Sequence, residues 1–244
     1  MRAGDTELEV CARITRELAR AKVQHWLHTP YAWWGERTRF DWQGRWETAA
    51  LPSARRLAAG EPFILDVAPL VAGFPADFAY SGLAGASAGE GAATHDALLR
   101  ELAQLKQALL EWATPLTRTG LLCAQVEESI HAAGHDVVHT RYPANVLGHT
   151  LEGFPNFSTS APRIGTGFQL PLLLTYATGI ALHHLTGAPY PFLSERAPGR
   201  PLGLYAVEPH LGKARFGAKF ESVLLIDGTE TRWLDPGLFG EVLG

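Results

Sequence analysis

Apolar residues recur at helical spacing in three stretches of the chain. Leu8, Cys11, Ile14, Leu18 and Ala21 fall on one stripe, and Thr6 with Glu9 ahead of it has the form of a capping box. Leu98, Leu102, Leu105, Leu109 and Trp112 repeat at intervals of three and four and predict the clearest helix, over 94–112. After Pro115, Val126, Ile130 and Ala133 mark another helix over 121–133, closed by Gly134. Strands are expected at 62–68 around FILDVA, at 203–207 and at 220–226, the last ended by the turn Asp227-Gly228, and a second apolar run at 70–74 leads towards Asp77. The segment 170–185 is apolar and helix-like, but Pro171, Thr175, Thr178 and Gly179 interrupt it and it is too short to span a bilayer. From Thr29 to Ala59 the periodicity gives way to aromatic residues: Tyr31, Trp33, Trp34, Phe40, Trp42 and Trp46. Small residues over 82–93 predict a loop, and STSAPRIGTG at 158–167 a mobile one. No repeat, linker or charge block divides the chain, so one α/β or α+β domain over 1–244 is the simplest expectation.

Composition narrows the class. With 46% hydrophobic and 19% charged residues among 244, the chain can bury a proper core and is not a disordered polymer. A net charge of −4 argues against nucleic acid or an acidic membrane surface as the main partner. Cys11 and Cys123 lie far apart without a CxxC, which fits a reducing compartment and excludes a cysteine-rich zinc site. Asp5, Glu7 and Glu9 stand where the apolar core of a secretory signal would be, so a cytoplasmic protein is expected.

Three acidic residues interrupt apolar strands: Asp66 in FILDVAP, Glu208 in LYAVEP and Glu221 in KFESVLLI. A lone buried carboxylate costs several kcal/mol unless it is paired, hydrogen-bonded or metal-bound. One such case reads as a buried ion pair. Three exceed the basic residues nearby, since Lys219 and Arg215 are expected to neutralise one of them and not all. Asp77 adds a fourth carboxylate, and His149, behind Gly148 in LGHTLEG, is the candidate histidine. Carboxylates converging with a histidine suit divalent Mn, Co, Fe or Zn.

These residues resemble the pita-bread metallopeptidases, the family of methionine aminopeptidase, aminopeptidase P, prolidase and creatinase. Asp66 and Asp77 match its aspartate pair in their spacing of eleven, Gly148-His149 its glycine–histidine, Val207-Glu208-Pro209 its apolar-Glu-Pro motif, and Lys219-Phe220-Glu221 its basic-X-Glu strand. The resemblance covers the catalytic domain and implies an α+β pita-bread fold, a curved antiparallel sheet with helices packed on its outer face. It also implies two divalent metal ions, manganese foremost, held by Asp66, Asp77, His149, Glu208 and Glu221, with Asp77 and Glu221 shared. A metal-bridging water would then attack an amide carbonyl. Glu208 would accept and later donate the proton, or serve as a ligand alone.

Two departures bear on substrate. The family's second histidine, shortly after the metal histidine, is Asn156 here, and the histidine it places ahead of the first aspartate is replaced by the stretch Trp46-Glu47-Thr48. Asn156 can donate to an oxyanion but cannot shuttle a proton. A hydrolase acting on a short peptide, a creatinase-like enzyme acting on a small metabolite and a binding protein that has lost catalysis therefore all stay open, ranked in that order. The thirteen residues from Glu208 to Glu221 require a tight hairpin. The aromatic cluster Trp33–Trp46 is read equally as a substrate wall or as core or homodimer packing, and Arg37, Arg39 and Arg141 as receivers of a substrate carboxylate or as solvated charges. His183-His184 is read as a pair at a helix C-terminus, and His131, His135 and His139 as surface or capping residues.

Overall fold

The capping box closes on both sides. Thr6 Oγ1 accepts from Glu9 N at 3.1 Å, Glu9 Oε2 accepts from Thr6 N at 2.8 Å, and α1 (Glu7–Arg20) follows. This computed structural model describes residues 1–23, 25–41, 49–85, 90–142, 144–151, 163–164, 168–188 and 190–234. Glu7 anchors the helix to the body of the protein. Its buried carboxylate accepts from Trp34 N, Arg37 Nε, Ser53 N and Ser53 Oγ, so a charge in the first turn is fully paired.

Every strand pairing among the described residues is antiparallel. β1 (His25–Trp26) pairs with β4 (Pro69–Val71), which pairs with β5 (Phe74–Pro75). β2 (Tyr31–Trp34) and β6 (Phe78–Leu83) flank β3 (Pro62–Val67). The hairpin of β13 (His210–Lys213) and β14 (Phe216–Lys219) is joined on its other edge by β7 (Asp136–Val137). A five-stranded sheet runs in the order β11 (Phe192–Leu193), β8 (Gly148–Thr150), β12 (Gly203–Val207), β15 (Ser222–Ile226) and β16 (Thr231–Trp233). β9 (Arg163–Ile164) pairs with β10 (Phe168–Gln169). The tight hairpin expected after Glu208 is present: Lys213 faces Phe216, leaving Ala214 and Arg215 as the turn, with Ala214 at φ +50°.

The strand expected over 220–226 is broken at its start. β14 ends at Lys219 and β15 begins at Ser222, so Phe220 and Glu221 form the joint at which the chain passes from one sheet to the next. A bridge between Ala79 and Glu221 ties this joint to β6. Side chains two apart on extended chain share a face, so Lys219 and Glu221 point one way and Phe220 the other. Phe220 goes into the main core with Leu211, Ala218, Leu224, Ile226 and Trp233. That core is closed by the stripe Leu98, Leu102, Leu105 and Leu109 of α2 (Glu90–Trp112) and by Leu122, Val126 and Ile130 of α3 (Thr119–Ala132). The helices therefore cover the face that carries Phe220, and the charged residues occupy the opposite face.

α3 ends as its sequence requires. Gly134 has φ +76° and donates to His131 O, and His135 N donates to Ile130 O, the paired bonds of a Schellman motif. α4 (Leu170–Thr186) is the predicted apolar helix, and no described helix is long and apolar enough to cross a membrane. Of the loop expected at 158–167, only the short strand β9 falls among the described residues.

Leu102 is fully buried between α2 and the sheet. Leu102→Ala should lower the unfolding free energy by about 2–5 kcal/mol in urea titrations, the range for a core leucine that leaves a cavity.

Candidate metal centre

The strand registers place the acidic residues side by side. Asp66 near the end of β3 faces Ala79 on β6, and Ala79 bridges to Glu221, which sets the two carboxylates on adjacent chain segments. Asp77 lies just ahead of β6. His149 faces Ala206 on β12, and Glu208 follows that strand, its N–H donating to Leu147 O at 2.8 Å. The glycine before His149 is needed for close strand packing, not for access of a ligand: a Cβ on Gly148 would lie 2.3 Å from Ala206 O. All five side chains reach one site, and Asp66, Asp77, Glu208 and Glu221 are buried there.

Lys219 lies at the centre of three of these carboxylates. Its Nζ donates to Asp66 Oδ2 at 2.9 Å, Glu208 Oε2 at 2.8 Å and Glu221 Oε2 at 3.1 Å, and stands 5.3 Å from the centre of the Tyr142 ring. The expectation that nearby cations could neutralise only one acidic residue is corrected here. The ammonium reaches three because Lys219 shares the face of Glu221 and its stem is long enough to meet β3 and the end of β12. Arg215 plays no part and pairs with Glu36.

Asp77 is paired differently. His149 Nε2 lies 3.3 Å from Asp77 Oδ2 and 3.8 Å from Glu221 Oε1. On the other side, His28 Nε2 lies 3.3 Å from Asp66 Oδ1 and 3.7 Å from Asp77 Oδ1. Two trios of donors result, His28/Asp66/Asp77 and Asp77/His149/Glu221, each with its ligand atoms within 4.8 Å of one another. Two ligand atoms about 2.1 Å from a common ion sit roughly 3–3.5 Å apart at ordinary coordination angles, so the spacing suits a bound divalent cation. Asp66 Oδ1 and Asp77 Oδ1 are buried and face His28 Nε2 without a well-formed hydrogen bond, which leaves both open to a cation. Hard carboxylates with imidazole suit Mn, Co, Fe or Zn. Glu208 belongs to neither trio and is engaged by Lys219.

Electrostatics follows from four buried carboxylates facing one buried ammonium. Burial pushes the Glu221 carboxyl up to about 8, with the Asp77 charge adding to the effect. Burial likewise raises Glu208, against the opposing pull of Lys219. Asp77 is held below the usual carboxylate range: burial works against its ionisation, but His149 and His28 outweigh it. Burial opposes protonation of His28, yet Asp66 and Asp77 raise its pKa well above 6.5. His149 is raised in the same way by Tyr176, Asp77 and Glu221 against its burial. Without a metal, protons on the histidines are the available counter-charge.

Sequence reasoning missed His28 and underestimated Lys219. Other candidates have structural roles. Trp33, Trp34 and Phe40 are core residues, with Trp33 Nε1 bonded to Ala50 O, while Trp42, Trp46, Glu47 and Thr48 lie outside the described residues. Arg37, Arg39 and Arg141 pair with Glu7, Asp136 and Asp41, so they are structural ion pairs. His183 and His184 occupy the last turn of α4 as expected. His135 caps α3 through its N–H, one of the two roles expected, whereas His139 is buried, contrary to both, and its Nδ1 accepts from the backbone of His210. Asn156 lies outside the described residues.

The antiparallel sheets, with α2 and α3 on one face and the acidic centre on the other, have the architecture of the pita-bread fold. The chain adopts this fold at low sequence identity to its solved structural neighbours. It matches an X-Pro aminopeptidase from Thermotoga maritima with a TM-score of 0.66 at 16% identity, over 96% of this chain and 54% of that one. A prolidase from Pyrococcus horikoshii matches with a TM-score of 0.66 at 14% identity, over 96% and 55%. A methionine aminopeptidase from Thermotoga maritima matches with a TM-score of 0.61 at 14% identity, over 95% and 86%. The chain thus spans about half the length of the first two and most of the third. No protein-family model and no curated protein matches the sequence.

The pKa directions fix the sign of a pH effect on the metal-free protein. Raised histidines contribute stability that is complete below 6.5 and is lost as pH climbs through their folded values. Glu221, raised from 4.5 to about 8, makes folding progressively less favourable across that interval. Asp77 contributes stability above 3.8 that is lost on acidification. With chelator present, the melting temperature should therefore be highest at about pH 4–5 and fall from there towards pH 8. Added Mn2+ should raise it more at pH 8 than at pH 5. A melting temperature that rises between pH 5 and pH 8 in chelator would contradict this charge balance. Lys219→Met should destabilise the chelated protein by about 3–5 kcal/mol, since it strands buried carboxylates, and added Mn2+ should recover part of the loss.

Proposed function

We propose that the chain is a dinuclear metal-dependent hydrolase that cleaves an amide bond in a short peptide or a small metabolite. The observation that carries this reading is the pair of donor trios sharing Asp77, set in a fold whose solved neighbours include an X-Pro aminopeptidase and a methionine aminopeptidase. Asp66, Asp77, His149 and Glu221 would hold the ions, with Glu208 beside them. Divalent ions there would supply Lewis-acid polarisation of the carbonyl and a nucleophile active at neutral pH.

The protein's own groups divide the remaining work. Asp77 is the shared carboxylate, placed between the two histidines. Tyr176 Oη lies 2.8 Å from His149 Nδ1 and orients the ring so that Nε2 faces the carboxylates. Glu208 is the most exposed of the four carboxylates, though still buried, and its burial favours the protonated form. Those properties suit a group that takes a proton from attacking water and delivers it to the leaving amine. Lys219, by holding Glu208 Oε2, fixes that carboxylate's orientation.

The residue at 156 separates the two substrate classes. With asparagine there, a small amide or amidine metabolite is the second reading. Protein loaded with Mn2+ or Co2+ is to be assayed on Xaa-Pro dipeptides, Met-initiated peptides and small amide metabolites. Metal-dependent, chelator-sensitive hydrolysis of one class is expected, and Glu208→Gln should lower kcat by about 10²–10⁴-fold. Hydrolysis undiminished by complete metal removal, or by Glu208→Gln, would overturn the mechanism. Failure of every substrate by the loaded protein would favour a binding role.

A further inference from the structure

We infer that His28 is a metal ligand, coordinating through Nε2 the ion held by Asp66 and Asp77, and so adds a histidine to the ligand set that the sequence motifs supply. This inference rests on the two-metal reading above.

The backbone places His28 there by an irregularity in the strand. Tyr31 stands opposite Asp66 and Trp26 opposite Pro69, so five steps on one chain span three on the other and two extra residues bulge out. The ladder is intact on both sides of the bulge, since Leu27 N donates to Ala68 O at 2.8 Å. Bulges re-aim side chains and recur next to active sites, and here the bulge carries His28 to the end of β3 beside Asp66.

The ring is held in position. It stacks on Tyr31 at 4.7 Å between centroids with an interplanar angle of 18°, and Tyr31 in turn stacks on Trp33 at 5.2 Å. His28 Nδ1 lies 2.8 Å from Thr29 O. A carbonyl oxygen can only accept, so Nδ1 carries hydrogen, and in the neutral ring Nε2 is then a lone-pair donor. That nitrogen faces two buried oxygens, Asp66 Oδ1 at 3.3 Å and Asp77 Oδ1 at 3.7 Å. A cation placed between this lone pair and the two carboxylates would be bound by all three. A backbone carbonyl on one ring nitrogen is also the usual support for metal binding through the other. His149 is set similarly in the second trio, with Nδ1 held by Tyr176 Oη and 3.3 Å from Thr150 O, and Nε2 towards Asp77 and Glu221. The two histidines thus flank Asp77 with matching chemistry.

Mn2+ binding is to be measured by equilibrium dialysis and calorimetry on the full chain, with electron spin-echo modulation counting the imidazole nitrogens coordinated to Mn2+. Wild type should show imidazole from both trios at saturation. His28→Ala and the bulkier His28→Gln should each weaken one Mn2+ site by at least about tenfold, since even removing the partner of a ligating histidine costs that much. Each should lose one nitrogen coupling while the His149 coupling persists. Unchanged affinity and unchanged nitrogen modulation in folded His28 variants would overturn the assignment and leave the two-metal reading standing. Wild type that binds no Mn2+ would overturn both. If both variants fail to fold, the wild-type spectrum decides: coupling to a single class of imidazole at full loading refutes the role of His28.

Discussion

The burial of four carboxylates within hydrogen-bonding or ion-pairing reach of one another is the constraint on which the structure depends. In an apolar interior each charge would cost several kcal/mol, and together they would repel. Lys219 offsets three of them with a single ammonium, and two histidines flank the fourth. The rest of the architecture serves this balance. The break between β14 and β15 turns Lys219 and Glu221 to the acidic face and leaves Phe220 in the helix-covered core. The bridge from Ala79 to Glu221 and the bonds of Ser81 Oγ to both N and O of Lys219 lock that segment against β6.

The balance without metal relies on protons. Raised histidine pKa values and a Glu221 carboxyl near 8 describe a site that holds hydrogen ions where a divalent cation would otherwise sit. Binding a metal would exchange those protons for positive charge at the same oxygens, which couples metal affinity to pH and to folding. Lys219 limits the repulsion in the metal-free state, so a site for an ion would already be formed before binding.

Much of this was legible in the sequence, for identifiable reasons. Asp66, Asp77, Glu208 and Glu221 announced themselves by interrupting or adjoining apolar strands, and the helical stripe of Leu98, Leu102, Leu105 and Leu109 by its period. Lys219 was visible but misjudged: two residues before Glu221 on extended chain it must share that face, and its reach across to β3 is a property of the assembled sheets. His28 left no local signal. Its place depends on a two-residue slip between β1 and β2 that no periodicity records, thirty-eight residues ahead of Asp66. The aromatic cluster stayed undecided because tryptophans suit a pocket wall and a core equally well, and burial places Trp33, Trp34 and Phe40 in the core.

The most direct test of the account is a crystal structure of the Mn2+-loaded protein with anomalous scattering recorded at the manganese edge. Two anomalous peaks are predicted, one among His28, Asp66 and Asp77 and the other among Asp77, His149 and Glu221, with Asp77 contacting both. No peak within coordination distance of Asp77, with Lys219 alone compensating the carboxylates, would contradict it.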